Sequence, residues 1–258
     1  ADPLVVLSEF FELVFDHAWT HGLQEACARD VRRRMKQKAD RESVRSYARN
    51  LRSQLLAPPL GEKKVLTLRT STKTVWFALL GEDSSVLEHG TLPTNNDEEL
   101  KAAIERIVAM ISEHKPAALA VPHGRRQAGT EKLIETLRNT VDADTLPMVV
   151  PVDEAASAIF TTSSAGRKTL SKVEVGVRTA ISLGRRLQDP MRELLRMDVR
   201  TLGLGQTLDD VHQGMLRREL DDVISSCVAA VGIDINTCDQ ALLAHVPGLN
   251  EERAKAII

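Results

Sequence analysis

The spacing of apolar and polar positions divides the chain into a helical stretch, a mixed stretch and a second helical stretch. Near the start, apolar residues recur at the three-to-four-residue spacing of a helix at Leu7, Phe11, Val14, Phe15 and Ala18. The pattern resumes with Val31, Met35, Val44 and Tyr47 and continues to Leu56. The segment 57–61, which contains Pro58 and Pro59, ends it. We therefore predict an N-terminal helical region over residues 1–60.

Strand-like and helix-like patterns alternate in the middle of the chain. Three strand-like runs over residues 64–68, 74–80 and 86–91 are followed by an amphipathic helix over 97–114. A strand at 117–121, a helix at 130–139, a strand at 148–152 and a helix from Glu154 complete the series. This is the element order of an RNase H-like fold, and periodicity alone leaves other α/β folds open. We predict one mixed-sheet domain over residues 61–190.

No strand pattern follows Asp189 and Pro190, and the remainder reads as helical. A long helix is predicted over 209–231, and two helices over 237–258 are joined by a tight turn at Val246, Pro247, Gly248 and Leu249. A short apolar-glycine-apolar turn between two helices is the spacing of a helix-hairpin-helix unit. The predicted fold class is thus α/β plus all-α, with a helical region at 191–258. Because the chain begins with Ala and ends within a helical pattern, we expect it to be a piece of a longer protein.

Composition and charge narrow the functional classes. The chain has 258 residues, of which 43% are hydrophobic, 27% charged and only 3% aromatic. With so few aromatic rings, any nucleic-acid contact should use backbone amides and Arg or Lys on phosphates rather than base stacking. The net charge of −2 hides an asymmetry, since residues 29–52 carry ten Lys or Arg against three acids, whereas 208–258 carry nine acids against four bases. Positive charge therefore gathers in the first helical stretch.

Cysteine usage and hydropathy bear on location. Cys27, Cys227 and Cys238 form no C-x-x-C pair, which suits a reducing compartment, so we predict a cytoplasmic protein. The apolar opening stretch is interrupted by Glu9 and Glu12. It therefore predicts neither a signal peptide nor a membrane span, and we expect no membrane partner.

One run of residues closely resembles a known family. The segment VRTAISLGRRLQDP at 177–190 is similar to a signature of the Tex family of transcription accessory proteins, and segments 48–52, 231–237, 241–243 and 247–250 support the resemblance. The resemblance implies a helical N-terminal part, a YqgF-type, RuvC-resolvase-like domain and a helix-hairpin-helix part. It also implies nucleic-acid binding, to RNA or DNA, and makes RNA polymerase or a transcription complex a candidate partner. In that family a further helix-hairpin-helix unit and an OB-fold RNA-binding domain usually follow.

The resemblance also identifies an acidic site that this chain has altered. An RNase H-like nuclease holds two Mg²⁺ ions with carboxylates from separate elements. The first-strand acid of the family corresponds here to Arg69, and a second acid, in the stretch 123–130, corresponds to Gly129. Glu154 and Asp189 match positions where the family carries acids, and Asp153 lies beside the former.

Arg69 decides the interpretation of this site. A guanidinium close to a divalent ion costs several kcal/mol even at an effective dielectric constant of about 20. We therefore expect Arg69 to pair with Glu154 or Asp189 and to fill the metal site, which leaves no catalytic residue, metal or cofactor. Two alternatives stay open: Arg69 points to solvent, or a rebuilt Mg²⁺ nuclease uses Asp153, Glu154 and Asp189.

Six residues are candidates for phosphate contacts: Arg32, Arg33, Arg34, Arg185, Arg186 and Gly248. Each set has a structural alternative. The first three could lie on a solvated helix, and the second pair could form ion pairs with Glu193 and Asp189. The hairpin at Gly248 precedes two glutamates and could serve packing or bind protein.

Other motifs predict no chemistry. His17 and His21 have i, i+4 spacing without a third ligand, so they indicate no zinc site. Gly203, Leu204 and Gly205 lack the context of a dinucleotide-binding loop, and no phosphate-binding loop motif occurs. The favoured hypothesis is a non-catalytic, Tex-like nucleic-acid-binding scaffold. A metal-dependent nuclease and a protein-interaction module without nucleic-acid binding are the alternatives.

Overall fold

The computed structural model describes residues 3–123, 128–142, 145–205, 208–235, 238 and 240–258. The chain forms two compact units, one of Ala1–Ala48 with Gly205–Glu219 and one of Arg49–Leu204 with Leu220–Ile258. These bounds differ from the predicted division at residues 60 and 190. The reason is that the second long helix contributes its last turns to the second unit, and that a segment following the α/β region belongs to the first.

The first unit is helical. Helix α1 (Pro3–Ala18), a π-helical turn (Trp19–Leu23) and helix α2 (Gln24–Leu55) follow one another without a break, so the predicted helical stretch is confirmed to within one residue of its predicted end. Along α1, large apolar side chains are exposed at Val5, Val6, Leu7, Phe10, Phe11, Leu13, Val14 and Phe15. On α2, the ammonium group of Lys36 donates to the carboxylate of Asp40 at 2.5 Å and to the carbonyl of Asp210.

The second unit is built on a five-stranded mixed sheet. Its strands are β1 (Val65–Thr70), β2 (Thr74–Leu80), β3 (Val86–Pro93), β4 (Ala118–His123) and β5 (Met148–Asp153), in the order β3-β2-β1-β4-β5. β1 pairs antiparallel with β2, and β2 with β3, whereas β4 is parallel to both β1 and β5. The predicted strands are all present, and their order and directions form the predicted RNase H-like sheet.

Helices cover both faces of this sheet. Helices α3 (Asp97–His114) and α4 (Ala128–Thr140) pack on one face, and α7 (Val175–Gln188) packs on the other. The first face buries Leu66, Leu68, Phe77, Leu79, Ile107, Met110, Leu119 and Leu137. The second buries Val65, Ala78, Leu80, Ala120, Val177, Ala180, Ile181 and Leu183. Alternate residues of each central strand face opposite layers, which explains the nearly continuous apolar runs in the sequence.

Two glycines let α7 approach the sheet closely. A Cβ at Gly176 would lie 2.3 Å from the indole ring of Trp76, and one at Gly184 would lie 2.6 Å from both Leu80 Cδ1 and Thr67 Oγ1. Because Trp76 pairs with Arg69 across β1 and β2, the start of α7 lies at the carboxyl end of β1. The other end of α7 lies at the amino end of β1, where the Gln188 amide donates to the carbonyls of Lys63 and Gly81 at 2.7 Å each.

Short helices complete the unit. Helices α5 (Ala155–Thr162) and α6 (Ser164–Thr169) precede α7, and α8 (Pro190–Leu194) follows it. After a 3-10 turn (Val199–Thr201), α9 (Gln213–Val231) starts four residues later than predicted, because Gln213 donates its side-chain amide to the Leu208 carbonyl and closes a turn there. No helix among the described residues is both long and apolar enough to cross a membrane.

The end of the chain is a helical hairpin. Helix α10 (Gln240–Leu243) and helix α11 (Glu251–Ile257) flank a turn in which Gly248 has φ +90°. The Leu249 amide donates to the Val246 carbonyl at 2.9 Å, and Asn250 caps α11 by accepting from the Arg253 amide at 2.8 Å. Gly is required at this turn because its left-handed backbone strains other residues. The predicted start of the first helix at Thr237 lies outside the described residues.

Candidate functional site

The carboxyl ends of β1, β4 and β5 form one edge of the sheet, which we call the carboxyl edge. Arg69 lies one residue before the end of β1, and Glu154 directly follows β5. Gly129, in the first turn of α4, lies against the end of β1, since a Cβ there would be 3.4 Å from Thr70 Oγ1. Three of the four residues predicted for the altered acidic site therefore lie at this edge.

Arg69 and Glu154 form the predicted ion pair. Arg69 Nε donates to Glu154 Oε2 at 3.0 Å, with 22% and 31% of the two side chains exposed. The guanidinium also lies over the Trp76 ring, 4.9 Å from its centroid. A cation above an indole is attracted by the ring quadrupole, so two contacts hold Arg69 in place.

The neighbouring carboxylate has a structural role. Asp153 Oδ1 accepts the backbone N–H of Ala155 at 2.9 Å, at the start of α5. A carboxylate at a helix N-terminus satisfies a donor that has no partner within the helix and interacts favourably with the helix dipole. The Asp153 carbonyl accepts from Arg186 at 2.8 Å. Asp153 is therefore oriented toward the helix backbone.

The prediction that Asp189 belongs to this site is wrong. It follows α7, whose 14 residues span about 21 Å at 1.5 Å per residue, and it lies at the opposite edge of the sheet. There it caps α8, accepting the Arg192 amide at 3.0 Å. In the part of the chain that the structure describes, no three His, Cys, Asp or Glu side chains form a group that could hold a metal ion.

Glu174, the N-cap residue of α7, is a carboxylate at the carboxyl edge that the sequence analysis did not predict. It precedes α7 at the carboxyl edge and accepts from Trp76 Nε1 at 2.9 Å and from Thr91 Oγ1 at 3.1 Å. The sequence signal is an acid directly before a helix, a position favoured by the helix dipole. Through Trp76, Glu174 fixes the ring over which Arg69 lies.

The three predicted phosphate-contacting arginines of α2 are exposed. Arg33 and Arg34 both pair with Asp30, Arg34 Nε at 2.7 Å from Asp30 Oδ2, while 70% and 76% of their side chains are exposed. Arg32 is likewise exposed. Exposed i, i+3 and i, i+4 ion pairs are weak, so these guanidinium groups can exchange Asp30 for a phosphate.

Arg186 is not available at the surface, which corrects its prediction as a phosphate contact. It is 6% exposed and donates to the Asp153 carbonyl and, at 2.6 Å, to Gln54 Oε1. Burial lowers the pKa of its guanidinium from the ordinary value. Its neighbour Arg185 is half-buried and donates to the Ser84 carbonyl at 3.2 Å, and burial lowers its pKa too.

Gly248 is exposed at the helical hairpin. Its carbonyl accepts from Arg253 Nη1 at 2.8 Å, and the nearby Leu249 and Arg253 amides already have acceptors within the hairpin. A phosphate contact at Gly248 stays a prediction.

Comparison with known proteins matches the two regions separately. Residues 63–188 match the family model described as "Tex protein YqgF-like domain", and residues 228–258 match a helix-hairpin-helix motif. The chain is thus a protein of the YqgF-like class that carries a helix-hairpin-helix motif.

The relatives specify the family. Protein tex of Bordetella pertussis is 34% identical over 242 residues, which cover 93% of this chain and 30% of that protein. Transcriptional accessory protein Tex of Neisseria gonorrhoeae is 32% identical over 87% of this chain, and human S1 RNA-binding domain-containing protein 1 is 29% identical over 89%. The chain belongs to the Tex family. It spans about 30% or less of the length of these relatives.

A solved structure gives a weaker match. RuvC of Thermus thermophilus covers 52% of this chain and 95% of its own, with a TM-score of 0.36 and 9% identity.

Proposed function

We propose that this chain is a non-catalytic part of a Tex-type transcription accessory protein and that it binds nucleic acid through phosphate contacts. The ion pair between Arg69 and Glu154 at 3.0 Å carries the first half of the proposal. It places a cation at the edge where an RNase H-like nuclease needs converging anions. The names of the relatives and the helix-hairpin-helix match support the second half.

The residues at the carboxyl edge do not fit a pair of Mg²⁺ ions. Glu154 accepts a guanidinium, Asp153 accepts the Ala155 N–H at the start of α5, and Gly129 supplies no side chain. Asp189 lies at the other edge. Hard divalent cations need several oxygen ligands that converge on one point, and a guanidinium in that place repels them. The nuclease alternative would require Glu154 to break its ion pair with Arg69. It would also require Asp189 to move to the carboxyl edge, over a distance equal to the length of α7.

Positive charge on α2 supports binding to a phosphate backbone. Residues 29–52 carry a local excess of seven positive charges, and Arg32, Arg33 and Arg34 are exposed there. Phosphate contacts of this kind supply affinity without base specificity. They do not distinguish RNA from DNA. RNA polymerase or a transcription complex stays a candidate protein partner. The cytoplasm stays the proposed location.

Nucleic-acid binding is tested by fluorescence anisotropy with short single-stranded and double-stranded RNA and DNA at two salt concentrations. Binding should weaken as salt rises, because each neutralised phosphate releases counterions. Replacing Arg32, Arg33 and Arg34 with Gln should weaken binding and reduce the salt dependence. The matched control is Arg217→Gln with Arg218→Gln on α9, two arginines within the acidic stretch 208–258. Absence of binding to all four probes would favour the protein-interaction module instead.

The non-catalytic half is tested by incubating the chain with labelled branched and single-stranded substrates in Mg²⁺ or Mn²⁺. We expect no cleavage, and cleavage that disappears with Glu154→Gln would refute the proposal. The double variant Arg69→Asp with Gly129→Glu restores the two family acids. It should gain Mn²⁺ binding, measured by calorimetry, over the unaltered chain.

A further inference from the structure

A polar cleft lies at the edge of the sheet opposite Arg69 and Glu154, where the β2–β3 turn faces the corner between α7 and α8. Its volume is about 190 Å³, and the residues that line it are Asp83, Ser84, Ser85, Arg185, Asp189, Arg192, Glu193 and Arg196. Pockets for drug-sized ligands have volumes of about 300–1,000 Å³. The cleft is therefore suited to one small charged group rather than to a nucleobase with its sugar.

Two of its three carboxylates are already engaged with neighbouring donors. Asp83 accepts from both the backbone N–H and the hydroxyl of Ser85, at 3.0 and 2.6 Å, and the Ser85 hydroxyl is the main cause that lowers the pKa of Asp83. Asp189 accepts the Arg192 amide at 3.0 Å, as the cap of α8. Each of these acids thus serves the local backbone of a turn or a helix start.

The third carboxylate, Glu193, is buried with 3% of its surface exposed. It accepts from the Ser182 hydroxyl at 2.6 Å, and Arg196 Nη1 lies 3.7 Å from its other oxygen. Glu193 therefore contributes the one buried negative charge on the inner wall of the cleft.

One guanidinium group of the cleft, by contrast, keeps a buried donor without a partner among the described residues. Arg185 donates to the Ser84 carbonyl, and Arg192 Nε is buried without a hydrogen-bond partner among the described residues. The backbone N–H of Arg192 binds Asp189, and its side chain lines the cleft.

A fourth arginine lies behind the cleft. A small adjoining cavity of about 10 Å³ shares Arg185, Glu193 and Arg196 with it and is also lined by Arg178. Arg178 is only 7% exposed, and its Nε has no hydrogen-bond partner within the described residues. A buried cation with unsatisfied donors is costly unless an anion or another acceptor reaches it.

Three guanidinium groups and three carboxylates therefore line the cleft, and Arg178 lies behind it. The carboxylates have partners, whereas Arg178 Nε and Arg192 Nε have none among the described residues. We propose that this cleft binds one phosphate group of a nucleic-acid backbone, with Arg185 and Arg192 as its donors and the buried charge of Arg178 behind them. Guanidinium forks match the oxygens of a phosphate better than any other side chain does. The inference rests on the proposed function, since it names one point at which the bound backbone is held.

The first arm of the test uses inorganic phosphate and the full chain, with the melting temperature as the readout. The melting temperature should rise with phosphate concentration, because a ligand that binds the folded state stabilises it. Arg192→Gln should abolish the rise. The control Arg200→Gln should keep it, because Arg200 is an arginine of the same unit that pairs with Asp198 at 2.6 Å, outside the cleft.

Arg178→Met separates ligand binding from a merely structural role. If the charge of Arg178 supports an anion in the cleft, Met should raise the melting temperature in phosphate-free buffer, where it removes a buried charge, and should weaken the response to phosphate. If Arg178 only supports packing, the variant should melt lower with the phosphate response intact. That second result, together with an unchanged response in Arg192→Gln, would overturn the inference.

The second arm uses a short oligonucleotide and fluorescence anisotropy. Arg192→Gln should weaken binding about tenfold and reduce the slope of log affinity against log salt by about one, with Arg200→Gln as the reference. Oligonucleotide binding that is unchanged in Arg192→Gln would overturn the cleft and leave the proposed function standing. A phosphate response without oligonucleotide binding would overturn the proposed function and assign the cleft to free phosphate.

Discussion

The two edges of the central sheet contain the same kinds of side chain and differ in how these are paired. At the carboxyl edge, Arg69 meets Glu154 and lies over Trp76, so its charge and its donors are used within the protein. At the opposite edge, three arginines and three carboxylates line the cleft with Arg178 behind it, and Arg178 and Arg192 each keep a buried Nε without a partner among the described residues. The difference indicates that arginine content alone does not predict a binding site. A better indication is whether guanidinium donors remain without a partner after folding.

Helix α7 links the two edges, since its first turn lies beside Trp76 and its last residue, Gln188, donates to the Gly81 carbonyl at the β2–β3 turn. Its distance from the sheet therefore sets the geometry of both. Substitutions that push this helix away from the sheet are therefore expected to have the largest effects.

The largest effect is expected from Gly176→Ala. The new Cβ would lie 2.3 Å from the rigid Trp76 indole, so ring and helix must separate, at a cost of about 3 kcal/mol of stability. This outweighs the gain of about 1 kcal/mol that Ala brings over Gly within a helix. Thermal or urea unfolding measures it. Gly184→Ala is the matched control on the same helix, with a smaller expected loss because its close neighbours, Leu80 Cδ1 and Thr67 Oγ1, end smaller side chains, and Thr67 Oγ1 has no hydrogen bond to lose among the described residues. Equal losses would contradict the reasoning.

The next largest effect is expected from a change of charge in the cleft at the opposite edge. Glu193→Gln removes the buried carboxylate that faces Arg196 and is expected to cost about 2 kcal/mol, because the remaining guanidinium charges lose their compensation. Urea unfolding in phosphate-free buffer measures the loss, and added phosphate should recover part of it. Ser182→Ala, which removes a donor to the same carboxylate without changing charge, should cost less and show no such recovery. A loss for Glu193→Gln that phosphate leaves unaltered would argue against an excess of positive charge there.

A smaller effect is expected at the carboxyl edge. A double-mutant cycle with Arg69→Ala and Glu154→Ala should give a coupling energy of about 0.5 kcal/mol, because both side chains are partly exposed and solvent screens the pair. Trp76→Leu in place of Glu154→Ala isolates the ring contact. A coupling energy of zero for both pairs would mean that Arg69 is free for other partners.

The smallest effect concerns Asp83 in the cleft. Hydrogen bonds from Ser85 hold the pKa of Asp83 below its ordinary value of 3.8. A carboxyl group with a lowered folded-state pKa contributes stability that is present above the unfolded value and is lost as pH falls through the folded value. An NMR titration of the Asp83 carboxyl should therefore show a midpoint below 3.8, and Ser85→Ala should raise it. A midpoint that Ser85→Ala leaves unchanged would show that the hydroxyl is not the cause.

Much of the fold follows from the sequence because its periodicity is a local property. The five strands and helix α3 are predicted nearly residue by residue, since strand runs buried on both faces and an apolar stripe on a helix leave a strong pattern. The unit boundaries are harder to predict. Helix α2 passes through residue 48 with no break in its pattern, so periodicity gives no sign that one unit ends there.

The candidate site, like the fold, can be predicted only in part from the sequence. The sequence, through its resemblance to the Tex family, predicts that Arg69 and Gly129 stand at positions of family acids, because residue type and motif position are read directly from the chain. The sequence does not show which charged side chains form ion pairs. Only the tertiary structure placed Glu154 against Arg69 and put Asp189 at the opposite edge, because the length and direction of α7 separate residues that a motif groups together. Burial likewise withdrew Arg186 from the surface, since solvent exposure depends on neighbours that are distant in sequence.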